Sequence, residues 1–277
     1  MIATAAQLFV DPEFSIKPAY HEAIAGWDVS IEIEAITQEN LDEWARINTA
    51  NLIQQSGIKV TPEMKLVLQN AITFAAKWQE DFRQWDVIDY DFTRGDGTIT
   101  RVEMMTSIRH APYTVSEGWR GVRLDYADGE LAAFVLIPDD DIEQVTPTML
   151  RQAVSRLCRP NETIGFVLTR LPRFTVATSK DLVDLFTAIG VEHGMDRAMT
   201  TDLPTIPTQA KQQAIIVVDE QGTVVSTVTI ICMGIDIPHW AEEPIDIMAN
   251  RPFYFIVGDV ETGTPLFLSH IGDPKMA

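Results

Sequence analysis

The sequence predicts a fold that combines α-helices and β-strands, because segments with the pattern of each occur along it. Residues 214–218 are apolar and β-branched, as in a buried strand, and residues 64–74 are predicted to form a long buried strand. Residues 29–34 alternate strictly between apolar and polar side chains, which indicates a half-buried strand. Residues 147–157 and 179–189 instead carry apolar side chains at the spacing of amphipathic helices.

Composition bounds the class of protein. A chain of 277 residues can bury a sizeable core and allows one or two domains. Its 21 basic and 40 acidic residues give a net charge of −19, which argues against a nucleic acid or an anionic membrane as partner. Its two cysteines, Cys158 and Cys232, are too few for a disulfide framework. No apolar run is long enough to span a bilayer, so we predict a soluble chain.

The first part of the chain is predicted to alternate strands and helices. Residues 5–10 form a strand, and residues 18–27 form a short helix. After the strand at residues 29–34, residues 37–56 form an amphipathic helix that Gly57 terminates. Leu41, Trp44, Ala45 and Ile47 lie on or near one face of this helix, and we interpret Trp44 as core packing.

The second part contains the remaining predicted elements. Residues 131–138 and 164–174 have the composition of strands. Thr146 is placed to cap the helix at 147–157, and Ser179 is placed to begin a second helix that stops at Gly190. The chain ends in two strands joined by a turn, at residues 253–257 and 265–271.

The side chains that usually carry catalysis or bind metals do not form a recognisable motif. Five histidines are scattered without metal-ligand spacing, and there is no glycine-rich phosphate loop or nucleophile elbow. Residues 139–141 are acidic but lack the pattern of a calcium loop, so we interpret them as a solvated turn. The Arg94-Gly95-Asp96 triplet lies in a predicted hairpin turn, where we interpret it as a chance occurrence rather than an integrin ligand. We therefore predict no catalytic residue, no metal and no cofactor.

One stretch stands apart from ordinary loops. The strand at residues 214–218 is followed by a turn at 219–222, and residues 223–231 then contain only small, hydroxylated or β-branched side chains. This composition suits a segment that can join a sheet as an additional strand. Residues 232–244 are polar, irregular and proline-bearing, as in an exposed tether.

This stretch resembles the hinge and reactive-centre loop of the serpins, and the resemblance extends over essentially the whole chain. The segments that carry it stand in serpin order: residues 66–74 with Lys77, Trp78 and Phe82; Val102-Glu103-Met104-Met105; Leu171-Pro172-Arg173-Phe174; Glu220-Gln221-Gly222-Thr223; Asn250-Arg251-Pro252-Phe253; and Pro265-Leu266-Phe267-Leu268. The resemblance implies an α+β fold with a large mixed β-sheet, barrel-like smaller sheets, surrounding helices and an exposed reactive-centre loop.

The resemblance also implies the domain organisation and the setting. Residues 1–277 would form a single serpin domain that lacks the usual N-terminal helical region, with its reactive-centre loop at about residues 222–244. Family members are typically extracellular and act as monomers. Residues 1–10 lack the basic start and cleavage site of a signal peptide, so a cytoplasmic location stays open as well.

The implied activity is trapping of a serine or cysteine protease. The protease attacks the exposed loop, forms an acyl-enzyme and is carried away as the severed loop inserts into the large sheet. The implied hinge residues are Glu220, Gly222, Thr223, Val225, Ser226, Thr227 and Val228. Counting forward from Gly222 places the scissile region at Ile235, Asp236 and Ile237, whereas counting back from Pro252 ends near Ala241; we prefer the forward count, because the sheet fixes the insertion length.

Four further residues match positions that control opening of the sheet in the family, at the so-called shutter and breach. Asn70 matches the shutter asparagine, whose histidine partner is replaced here by Gln212. Trp78 matches the tryptophan below the point of insertion. Arg173 replaces a lysine that pairs with the glutamate matched by Glu220, and arginine can keep that pair.

Two alternatives remain open at this point. Bulky valines at 225 and 228, Gln212 in place of histidine and the missing helices also suit a non-inhibitory serpin-like binding or structural protein. A truncated, inactive serpin is the other alternative. An enzyme is the class that the sequence favours least.

Overall fold

The computed structural model describes residues 2–26, 29–33, 35–82, 87–116, 118–139, 142–158, 164–188, 209, 211–223 and 243–275. The chain divides into two compact units, one of Met1–Phe74 with Ala177–Ile215 and one of Ala75–Val176 with Ile216–Ala277. None of the described helices is long and apolar enough to cross a membrane. The described elements confirm the predicted α+β class.

The first unit contains a three-stranded mixed sheet. Its strands are β1 (Ile2–Val10), β2 (Val29–Ile33) and β3 (Leu66–Phe74), in the order β2-β1-β3. β1 runs parallel to β2 and antiparallel to β3. A short helix, α1 (Pro18–Ile24), lies in the chain between β1 and β2.

Helix α2 (Gln38–Asn48) packs on one face of this sheet. Leu41 is fully buried against Phe9 and Val67, and Trp44 packs partly buried against the same cluster, which agrees with its predicted core role. Thr37 caps the helix by accepting a hydrogen bond from the Asn40 amide.

The predicted end of this helix is wrong. The sequence pattern extends it to residue 56, but α2 ends at Asn48, and Ala50 and Asn51 adopt positive φ angles of 50° and 64°. The amide of Asn51 donates to the Arg46 carbonyl, and the Thr49 hydroxyl accepts from the Ile53 amide. These bonds satisfy the last turn locally, so Gly57 does not terminate the helix.

The second unit contains an eight-stranded sheet. Its members are β5 (Ile88–Thr93), β6 (Ile99–Ser116), β7 (Trp119–Asp125), β8 (Leu131–Pro138), β9 (Ile164–Pro172), β13 (Ile245–Met248), β14 (Phe253–Asp259) and β15 (Pro265–Ile271). The order is β13-β9-β6-β7-β8-β14-β15, and β5 pairs with β6. The pairs are antiparallel except for β13 with β9, which makes the sheet mixed.

Helix α3 (Pro147–Leu157) covers part of this sheet and completes a core. Thr146 caps it as predicted, because its hydroxyl accepts from the Met149 amide. The buried side of the helix consists of Ala153, Val154 and Leu157. These residues pack with Trp119 of β7, with Ala132, Phe134 and Leu136 of β8, and with Ile256 of β14.

The second predicted helix begins later than the sequence pattern indicates. Ser179 lies in strand β10 (Phe174–Asp181) rather than at a helix N-terminus, and α4 spans Val183–Ala188. The Asp181 carboxylate accepts from the amide of Val183, the first residue of α4. Residues 189–190, which include the predicted stop, lie outside the described residues.

A four-stranded sheet has the order β10-β11-β12-β4, where β11 is Lys211–Asp219, β12 is Gly222–Thr223 and β4 is Ala76–Lys77. β11 is longer than the predicted strand at 214–218 and ends where the predicted turn begins. The two shortest members, β4 and β12, lie in the second unit, where they form the candidate site.

The turn that holds the Arg-Gly-Asp triplet joins β5 and β6. Asp96 accepts hydrogen bonds from the amide and hydroxyl of Thr98, and Gly97 has a φ of 81°. Arg94 pairs with Asp273 near the end of the chain. Arg94 therefore already forms an ion pair within the fold.

Candidate functional site

The candidate site is the start of the predicted hinge, and it begins with a tight turn at the end of β11. The Asp219 carboxylate accepts hydrogen bonds from the amides of Gln221 and Gly222, at 2.9 and 3.1 Å. This side-chain bonding to the backbone two and three residues on is typical of aspartate in turns. It reverses the chain, so that Thr223 lies opposite Val218 in the ladder.

The two residues after the turn are paired on both sides. β12 pairs antiparallel with β11 through Val218 and Asp219. On its other side β12 pairs antiparallel with β4, with Gly222 opposite Lys77 and Thr223 opposite Ala76. The first residues of the predicted hinge therefore occupy a strand position between two others.

Gly222 allows the backbones to approach this closely. A Cβ atom built on Gly222 would lie 2.1 Å from the Ala76 carbonyl oxygen and 2.8 Å from the Lys77 Cα. Neither atom can move without moving the backbone of β4. The pairing of β12 with β4 therefore requires glycine at this position.

Trp78 forms the floor beneath the turn. It is 2% exposed, and its indole Nε1–H donates to the Asp219 carbonyl at 2.9 Å. The Trp78 amide donates to the Gln221 carbonyl, and the Phe82 amide donates to the Glu220 carbonyl, both at 2.9 Å. The segment after β4 thus holds the backbone of the turn at three points.

Tyr126 lies beside Trp78 and reaches Thr223. The two aromatic rings are stacked, with centroids 4.8 Å apart and an interplanar angle of 7°. The Tyr126 and Thr223 hydroxyls share a hydrogen bond of 2.8 Å, and both residues are buried. Burial raises the pKa of the Tyr126 phenol far above its ordinary value, so this hydroxyl stays protonated.

Arg173 closes the site on the other side of the turn. It forms an ion pair with Glu220, whose side chain is 6% exposed, and a second ion pair with Glu103 at 3.0 Å. Partial burial alone would lower the pKa of Arg173, but the hydrogen bonds to Glu220 and Glu103 outweigh it and raise that pKa. Arg173 therefore stays positively charged and links Glu220 of the hinge to Glu103 of β6.

We expect Glu220→Gln to lower stability by about 1–3 kcal/mol, because it removes the charge from the buried side of the pair. We expect a loss nearer the lower end of this range, because the Arg173 side chain is 38% exposed and solvent screens its charge. Thermal melting of the uncleaved protein measures the effect. Asp91→Asn, which breaks the exposed Arg101–Asp91 pair, is the matched control and should cause no measurable change. Equal melting of Glu220→Gln and wild type would contradict the assigned contact.

The two predicted shutter residues lie in the first unit and are not joined. Asn70 is exposed on β3, where it pairs with Ala6 of β1, and Gln212 is exposed near the start of β11. No hydrogen bond between the two side chains is found among the described residues. Their role in opening the sheet stays a prediction.

The remaining predicted site residues lie outside the described residues. These are the hinge residues Val225, Ser226, Thr227 and Val228 and the scissile region Ile235, Asp236 and Ile237. The structure describes the hinge only as far as Thr223. Within the described ranges, no three His, Cys, Asp or Glu side chains are grouped in a way that could hold a metal ion.

Sequence reasoning missed Tyr126. It follows β7 in a turn whose Asp128 accepts from two backbone amides, a pattern typical of a hairpin turn. Nothing local distinguishes this tyrosine from one that only packs in the core. Its partner, Thr223, is 97 residues away in the sequence.

The comparisons with known proteins identify the family. A family model described as serpin (serine protease inhibitor) matches residues 1–274. The match therefore covers nearly the whole chain. The chain belongs to the serpin family, as its sequence motifs predict.

Several relatives and solved structures are similar to this chain at low sequence identity. Serpin-Z4 of Arabidopsis thaliana is 24% identical, with 99% of this chain and 77% of the relative covered. Alpha-1-antiproteinase 2 of Equus caballus is also 24% identical, with 94% and 61% covered. A serpin-like protein of Thermococcus kodakarensis is 27% identical, with 85% and 56% covered. The chain thus spans only part of the length of each relative.

The similar structures show the serpin fold. Human glycosylated kallistatin superposes with a TM-score of 0.83 at 20% identity, with 100% of this chain and 76% of kallistatin covered. Human thyroxine-binding globulin superposes with a TM-score of 0.81 at 18% identity, with 99% and 75% covered. At these identities the likeness concerns the fold alone.

Proposed function

We propose that this chain inhibits a serine-type protease by trapping it. The protease cleaves the reactive-centre loop as an acyl-enzyme, and the severed loop adds to the large sheet as a new strand before the acyl-enzyme is hydrolysed. The protease is the partner, no cofactor takes part, and one copy of the chain acts as a monomer in an extracellular setting.

The observation that carries this proposal is the position of β12. Gly222 and Thr223 lie between β11 and β4 and are paired with both. An inserting loop has to occupy the same strand position, directly after Thr223. In this arrangement insertion continues a strand that has already begun, rather than opening the sheet from the start.

The composition after Thr223 supports the same proposal. Residues 223–231 are β-branched or small, so they suit a strand and carry no charge that would have to be buried. The valines at 225 and 228 are stiffer than smaller residues, which slows passage between strands and raises the share of encounters that end in simple cleavage.

Covalent trapping tests the proposal. We expect a panel of serine proteases to include at least one that forms an adduct stable in SDS, since the acyl bond survives when insertion outruns deacylation. Mass spectrometry of the released peptide then identifies the cut, which we propose lies in the region Ile235-Asp236-Ile237. If every protease cleaves the loop and none forms an adduct at any molar ratio of this protein to protease, the proposal is overturned.

A non-inhibitory serpin-like binding protein is the second candidate. The observation that favours it is the shutter, because Asn70 and Gln212 are both exposed and have no bond between them in the described part of the chain. A sheet without this bond lacks one of the contacts that we expect to control its opening. This candidate predicts loop cleavage without adduct and without any gain in thermal stability.

A further inference from the structure

The feature that the proposed mechanism does not by itself explain is the buried hydroxyl pair of Tyr126 and Thr223. The tyrosine ring cannot easily move, since it stacks on Trp78 and its backbone forms a bridge with that residue. The Tyr126 amide also donates to the Leu131 carbonyl at 3.0 Å. The phenol oxygen is therefore held at a fixed point beside β12.

The register of β12 places the Thr223 hydroxyl against this phenol. Thr223 is 2% exposed and its Oγ1 lies 2.8 Å from the Tyr126 oxygen. The neighbours of Thr223 in the sequence, Gly222 and Val224, have no hydroxyl. A slip of one residue in either direction would leave the Tyr126 hydroxyl buried without this partner and would turn each side chain to the opposite face.

We propose that Tyr126 is a positioning residue, which fixes the register at which the reactive-centre loop joins the sheet. The inference rests on the proposed trapping function, because a register matters only if a strand is added. It assigns the Tyr126 hydroxyl a task beyond packing: the strand that continues from Thr223 starts at a defined residue and on a defined face. Trp78 supports this task indirectly by holding the ring.

The first test is amide hydrogen exchange in the uncleaved protein. Tyr126→Phe removes one hydroxyl and leaves the other buried without this partner, so exchange in peptides covering Gly222 and Thr223 should accelerate roughly 5- to 30-fold. Tyr254→Phe is the matched control, because its phenol donates at 3.4 Å to the Ile142 carbonyl away from the hinge. Exchange that is the same in Tyr126→Phe, Tyr254→Phe and wild type would overturn the inference.

The second test separates positioning from packing. Replacing both partners, in Tyr126→Phe with Thr223→Val, leaves no unpaired hydroxyl and should return the melting temperature close to that of wild type. If Tyr126 fixes the register, the ratio of SDS-stable adduct to cleaved protein stays about tenfold below wild type in the double variant. Recovery of that ratio together with the melting temperature would show a packing role only and would overturn the inference.

The two proposals fail in different ways. If wild type forms no adduct and gains no stability on cleavage, the proposed function fails, and the register assignment fails with it. Accelerated exchange in Tyr126→Phe would then show only that the Tyr126–Thr223 hydrogen bond stabilises the folded protein. If wild type forms adduct and Tyr126→Phe forms it in the same ratio, trapping stands and the positioning role of Tyr126 fails.

Discussion

Thr223→Arg is expected to abolish covalent trapping and to turn the protein into a plain substrate of its target protease. Thr223 is 2% exposed and paired with Val218 on one side and Ala76 on the other. A guanidinium group at this position would have to enter the sheet beside the buried Tyr126 ring, or else keep the hinge out of the sheet. Burying a charge in a sheet costs several kcal/mol.

The expected size of this effect is a fall in adduct yield of roughly 100-fold, which corresponds to about 3 kcal/mol at about 1.4 kcal/mol per factor of ten. Densitometry of adduct and cleaved protein on denaturing gels measures it. Thr223→Ser keeps a hydroxyl within reach of Tyr126 and serves as the control, with a yield near wild type. An adduct yield for Thr223→Arg equal to that of Thr223→Ser would contradict the proposed insertion.

Gly222→Val should expel β12 from its position between β11 and β4. The added Cβ would meet the Ala76 carbonyl oxygen at 2.1 Å, which is well inside van der Waals contact, and the atoms it meets belong to backbone. Overpacking of this kind typically costs about 1–3 kcal/mol. We expect a lower melting temperature of the uncleaved protein together with loss of trapping.

Gly26→Val is the matched control for this substitution, because a Cβ built on Gly26 meets no atom of the described residues within 4 Å. Scanning calorimetry of both variants, followed by the adduct assay, gives the comparison. Melting of Gly222→Val at the temperature of Gly26→Val would mean that β12 does not need the close approach to β4.

The sequence predicted elements well where a local pattern decides them. Strand β15 has the predicted bounds, and the Thr146 cap follows from a threonine before a proline and an apolar stripe. Predictions failed where other local structure decides the boundary, as for Ser179, which lies in strand β10, and for the end of α2.

The candidate site was predictable only in part, because its contacts are distant in sequence. The Trp78 indole and the Asp219 carbonyl that it binds are 141 residues apart, and no periodicity encodes such a contact. Family resemblance supplied Trp78, Arg173 and Glu220. It supplied neither Tyr126 nor the pairing of β12 with β4, since both depend on the three-dimensional packing of the turn after β7 against the hinge.

In the proposed mechanism, the segment after Thr223 adds to the sheet once its far end is released. Thermal melting before and after a single cut in residues 232–244 tests it most directly, with no need to know the target protease. We expect the cut protein to melt about 10 °C higher, which corresponds to roughly 3–5 kcal/mol at about 2–4 °C per kcal/mol. A cut protein that melts at the same temperature as the intact one, or lower, would mean that this segment does not insert.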